Sequence, residues 1–144
     1  MYDRGFEKQI QTSALAASAS YVGFLYFPRA VRIAGYWAVP SVAQVAHATA
    51  TLDVTFTNRG TDGLGTTVLA VITNDSDLAN SATRKNSAFV AKDAVVLDTG
   101  ARPDGSTTMY DAIAAGSVVE VTIAKGAGTA TGDVVAGLNG FYSS

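Results

Sequence analysis

Three stretches of the chain carry residue types that could do chemistry. His47 is the single histidine, so a histidine-based zinc site or a Ser–His–acid triad would have to be built around one imidazole. A polar residue in a segment of small side chains is the simpler reading. Asn74-Asp75-Ser76-Asp77 resembles the opening of a calcium loop, where close carboxylates supply hard oxygen ligands, but the glycine and distal bidentate glutamate of an EF-hand are missing. It reads as a surface Asx turn. Lys125-Gly126-Ala127-Gly128-Thr129-Ala130-Thr131-Gly132 has the glycines that let backbone N–H groups approach an anion. Its spacing fits neither GxxxxGK[ST] nor GxGxxG, and β-branched residues follow it where a phosphate site needs a helix N-terminus. It reads as a hairpin connection. No pair of carboxylates has a spacing that argues for acid–base work, and the expectation is a protein without catalytic residues, cofactor or metal.

The elements around these stretches read as strands. Tyr21 to Phe27 (YVGFLYF) is aromatic and β-branched. Val31, Ile33, Gly35, Trp37 and Val39 then alternate with Arg32, Ala34, Tyr36 and Ala38 until Pro40. Leu52, Val54 and Phe56 alternate with Asp53, Thr55 and Thr57, which predicts one core face and one wet face. After the turn cluster at 59–65, Thr66 to Thr73 completes a hairpin with that strand. Ala88 to Val90, Ala94 to Asp98, Ser117 to Ala124 and Val134 to Tyr142 also have strand composition, whereas Tyr110 to Ala115 reads as either a strand or one helical turn. Ser13 to Ser20 has the alanines to begin a short helix and the serines to weaken it. About eight short strands with turn signals every dozen residues predict an antiparallel jelly-roll β-sandwich.

Residues 1–12 mix opposite charges with single apolar side chains around Gly5, and are expected to form an extended N-terminal arm on a single domain spanning 13–144. No repeat or linker divides that domain. Its 144 residues can bury a true core, and the absence of cysteine excludes a disulfide framework and a thiolate nucleophile. Ten Lys and Arg scattered through a chain of net charge −2 argue against a nucleic-acid partner. The uncharged run from Ala14 to Phe27 is shorter than the roughly 20 residues a spanning helix needs, and it lacks the basic flank of a secretory signal, so no membrane partner is expected.

Charge is low, at 15% of residues, and unevenly placed. From Gln9 to Leu52 the only formal charges are Arg29 and Arg32, yet the first 37 residues hold Tyr2, Phe6, Tyr21, Phe24, Tyr26, Phe27, Tyr36 and Trp37. Aromatic enrichment with charge depletion marks the centre of a protein–protein interface. Tyr21, Phe24, Tyr26, Tyr36 and Trp37 are therefore the candidate subunit interface.

The string AAGSVVEVTIAKGAGTATGDVVAGL at 114–138 is similar to the C-terminal half of small jelly-roll proteins on tailed-bacteriophage heads, the decoration, cement or head-fibre proteins. ATATLDVTFTNRGTDG at 48–63 resembles an earlier strand and loop of the same kind of domain. The likeness is one of cadence over roughly residues 45 to 142. It implies a non-enzymatic virion protein, a homotrimer on the outer capsid surface that clamps neighbouring copies of the major capsid protein. The arm would then order on the capsid, with Tyr2 and Phe6 as anchors and Arg4 and Lys8 meeting acidic groups. The competing expectation is a carbohydrate- or receptor-binding sandwich of a tail fibre or secreted protein, with Tyr36 and Trp37 stacked on sugar.

Overall fold

The computed structural model describes residues 5–42, 48–73, 96–97, 111–128 and 132–143. His47, Asn74 to Asp77 and Ala88 to Val90 lie outside the described residues, as do Tyr2 and Arg4. Period-two burial organises what is described. In β4 (Leu52–Gly60), Leu52, Val54 and Phe56 are fully buried while Asp53 and Thr55 are half-buried, as the alternation of the sequence predicts. β8 (Ser117–Lys125) follows the same rule, with Val119, Val121 and Ile123 inward. The remaining strands are β1 (Gly5–Thr12), β2 (Ser20–Phe27), β3 (Val31–Pro40), β5 (Thr67–Thr73), β6 (Val96–Leu97), β7 (Asp111–Ile113) and β9 (Val134–Tyr142). No helix occurs among the described residues. Where Ser13 to Ser20 could have started one, the chain turns, with Ser18 at φ 59° and the Ala19 N–H donating to the Ala16 carbonyl.

The strands form an all-β antiparallel sandwich. One sheet runs β1-β9-β3-β6, with β7 also on β3, and the other runs β2-β8-β4-β5. The predicted hairpin at 52–73 is present as the β4–β5 pair. The link after Lys125 differs from the expected hairpin, because β8 and β9 lie in different sheets. It is a crossing from one layer to the other. The expected free arm also differs: Gly5–Thr12 pairs with β9 along its whole length, since Phe6, Ile10 and Thr12 bring an inward row that the sandwich can cover.

One bulge decides which side of β3 enters the core. The register against β9 shifts between Ile33 and Gly35, and an inserted residue reverses the parity of everything after it. Val31 and Ile33 are buried before the shift; Tyr36 and Ala38 are buried after it. Strict alternation would have put Trp37 and Val39 inside. Tyr36 instead packs on Phe56 with ring centroids 5.0 Å apart, and its hydroxyl donates to Asp111 Oδ2 at 2.7 Å. A buried phenol needs such an acceptor. Phe56→Ala removes the centre of this cluster, and we expect urea denaturation to show a loss of about 3–5 kcal/mol.

Candidate functional site

β2 cannot hide all of its apolar side chains. Gly23, Leu25 and Phe27 face the core, which leaves Val22, Phe24 and Tyr26 on the outer face of the β2-β8-β4-β5 sheet. They are 45%, 63% and 56% exposed. The register sets Val22 beside Thr122, Phe24 beside Glu120 and Tyr26 beside Val118. From β4, Arg59 reaches the same place: its Nε and Nη2 each donate to Glu120 at 3.0 Å, and Nη1 donates to the Gly65 carbonyl at 3.0 Å. Phe24, Arg59, Gly63, Val118 and Glu120 line an open depression of about 580 Å³. Leu64, at the loop beyond it, is 78% exposed.

The ion pair makes this depression nearly neutral. Hydrogen bonds from Arg59 hold the Glu120 carboxyl below the usual carboxylate range, and the same bonds raise Arg59. Both charges are spent on each other in a bidentate geometry. What remains for a partner is apolar area.

The candidate residues separate into different environments. Phe24 and Tyr26 lie on the outer face of β2, and Tyr21 is 39% exposed at the start of that strand. Tyr36 is a correction, because the β3 bulge turns it into the core at 1% exposure, where it reaches neither a subunit nor a sugar. Trp37 is half-buried on the other sheet, its ring lying so close over Gly137 that a Cβ there would meet Cζ2 at 2.5 Å. The two arm residues that are described, Phe6 and Lys8, are half-buried and make contacts within the fold. Phe6 packs on Phe27 and Tyr142 at 5.6 and 5.3 Å, and Lys8 Nζ sits 5.5 Å over the Phe27 ring. Val22, Val118 and the Arg59–Glu120 pair were missed. The signal for Val22 was present, since YVGFLYF is apolar at both parities and one parity must face outward.

Among the described residues, the remaining titratable groups do not converge on one site. Lys125 is buried, and desolvation lowers its pKa against the pull of Asp53, while its Nζ donates to the Ala127 carbonyl at 2.8 Å. Asp53 in turn accepts a bond from the Thr73 hydroxyl. Among the described residues, no three His, Cys, Asp or Glu side chains group as a metal site, and no helix is long and apolar enough to cross a membrane.

No family model matches the chain, and no curated protein does. Two solved structures are similar to it, those of infectious bursal disease virus, Gt strain and Gx strain, at 8% and 10% identity and a TM-score of 0.29 in both cases. Each match covers 99% of this chain, which spans 38% of the length of the other. A superposition that loose fixes neither wiring nor function.

Glu120 gives the surface a pH signature. A folded pKa below the unfolded one adds stability above the unfolded carboxylate range, and that stability is lost as the pH falls through the folded value. We expect Glu120→Gln to flatten this acid limb in melts taken from neutral pH downward. Gly137→Ala should shift Trp37 fluorescence and destabilise the fold by about 1–3 kcal/mol.

Proposed function

We propose that this chain is a non-enzymatic structural protein of a virus particle that sits on the outer capsid surface and cements neighbouring copies of the major capsid protein. The observation that carries the reading is the outward row Val22, Phe24 and Tyr26, an apolar strip of large side chains on an edge strand. Single exposed apolar residues are ordinary, but a contiguous row beside a self-neutralised ion pair is what a partner protein covers. The resemblance of 48–63 and 114–138 to phage decoration proteins supplies the setting and implies a homotrimer. The nested strand pairs β1–β9, β2–β8, β3–β6 and β4–β5 support a jelly roll, since they are the rungs of one long folded ribbon. Tyr21, Phe24 and Tyr26 are the subunit contact in this reading. In this reading Tyr2 and Arg4 remain candidates for the capsid contact.

A sugar platform is the second reading, favoured by two rings two residues apart on one sheet face. Val22 and Val118 beside them offer no hydrogen bond to hydroxyls, and Arg59 and Glu120 already satisfy each other. A covered protein contact uses those neighbours better.

Mass spectrometry of purified particles tests the setting, and hundreds of copies per particle are expected. Phe24→Thr with Tyr26→Thr keeps strand propensity, so stability should change by no more than about 0.5 kcal/mol while particle occupancy and the sedimenting trimer both diminish. A stable monomer at micromolar concentration that never attaches to capsids would overturn the reading. Glycan binding by the wild type that vanishes in the double variant would establish the sugar platform in its place.

A further inference from the structure

We infer that the open edge of β2 is a two-fold contact at which the chain pairs with a second copy of itself. This contact goes beyond the three-fold assembly proposed above, because it uses backbone groups at the edge and leaves the outer face available. The Lys125 N–H donates to the Ala19 carbonyl at 2.8 Å, and the Gly116 N–H donates to the Phe27 carbonyl at 2.7 Å. These bonds bracket β2 and fix its parity. In an antiparallel ladder, residues alternate between those bonded to the neighbour and those whose N–H and C=O point away from it. The odd-numbered residues from Ala19 to Phe27 therefore face β8, and Ser20, Val22, Phe24 and Tyr26 aim their N–H and C=O groups off the sheet. No described strand pairs with β2 on that side.

Of the outer strands, β2 is the least protected. β1 carries Glu7 and Lys8, β5 is bulged where it passes Phe56 and Thr57, and β6 is only two residues long. β2 keeps unbroken register with β8 over its eight residues and contains no charge, proline or bulge. Proteins ordinarily blunt an exposed edge with one of those devices. Its absence here leaves a template for another strand.

The occupant must be an extended segment without charge, because it lies against the apolar row of SYVGFLYF. β2 itself meets that condition, and its sequence is self-complementary about Gly23. With a two-fold axis at Gly23, Ser20 opposes Tyr26 of the copy and Val22 opposes Phe24. Every outward N–H and C=O of the strand then finds its mate. Gly23 falls at a pair not joined by hydrogen bonds, where Cα atoms approach to about 4.5 Å. Moving the axis to Phe24 would set Ser20 against Pro28, which has no N–H to give. The copies' β2-β8-β4-β5 sheets become one continuous sheet, with their aromatic rows adjacent on one face.

Amide hydrogen exchange of the wild-type chain, from micromolar to submillimolar concentration, tests the contact. The Val22, Phe24 and Tyr26 amides should exchange quickly when dilute and slow by about tenfold or more as copies associate, while Gly23 and Leu25 stay protected throughout. Charge-swap pairs supply the second readout. V22K/F24K and V22E/F24E should each self-associate about tenfold more weakly than the wild type, and recover association when mixed, because residue 22 opposes residue 24 of the copy. Even-numbered amides that exchange independently of concentration overturn the inference, as does a mixture no better associated than its components. A fixed trimer with such amides refutes the edge contact and leaves the three-fold reading intact; a monomer–dimer step that the charge swap controls does the reverse.

Discussion

Side chains on a β-strand alternate between two faces, so a strand apolar at both parities can bury only one of them. β2 is that strand. Its inward row of Gly23, Leu25 and Phe27 closes the core, with Phe27 buried and in contact with Phe6. Ile10 fits where Gly23 lacks a side chain: a Cβ there would lie 2.9 Å from Ile10 Cδ1. That fit holds the β1 edge of one sheet beside the β2 edge of the other and fixes the phase of β2. Once the phase is fixed, Val22, Phe24 and Tyr26 have no inward alternative.

The surface around that row is consistent with cover by another protein. Arg59 and Glu120 bring the only salt bridge found among the described residues, and its geometry leaves neither charge open. A pair that water still reaches in part adds little to stability. Its effect is on character, since it lets a polar strand boundary border an apolar row without presenting a net charge to whatever docks there.

Much of the sandwich was legible in the sequence because its clearest strands obey period two. Leu52, Val54 and Phe56, and likewise Val119, Val121 and Ile123, announce an inward face that the structure keeps. The candidate interface was legible in part. Phe24 and Tyr26, singled out by charge depletion, face outward, whereas Tyr36, singled out on the same ground, is turned into the core. A bulge of one residue between Ile33 and Gly35 reversed that strand; Gly35 was the signal for it, since an isolated glycine inside a strand pattern often marks a bulge. The N-terminal segment misled for a different reason. The charges within β1 sit at Glu7 and Lys8, where one side chain points outward and the other lies over a ring, so an edge strand reads like a loose arm.

The central claim is that the outer row of β2 belongs under another protein. Hydroxyl-radical footprinting of the isolated chain and of the chain in the proposed particle measures this directly, with buried Phe56 as the internal reference. Covered rings require Phe24 and Tyr26 to label readily in the free chain and to be strongly protected in the particle. Equal labelling in the two states would contradict the account.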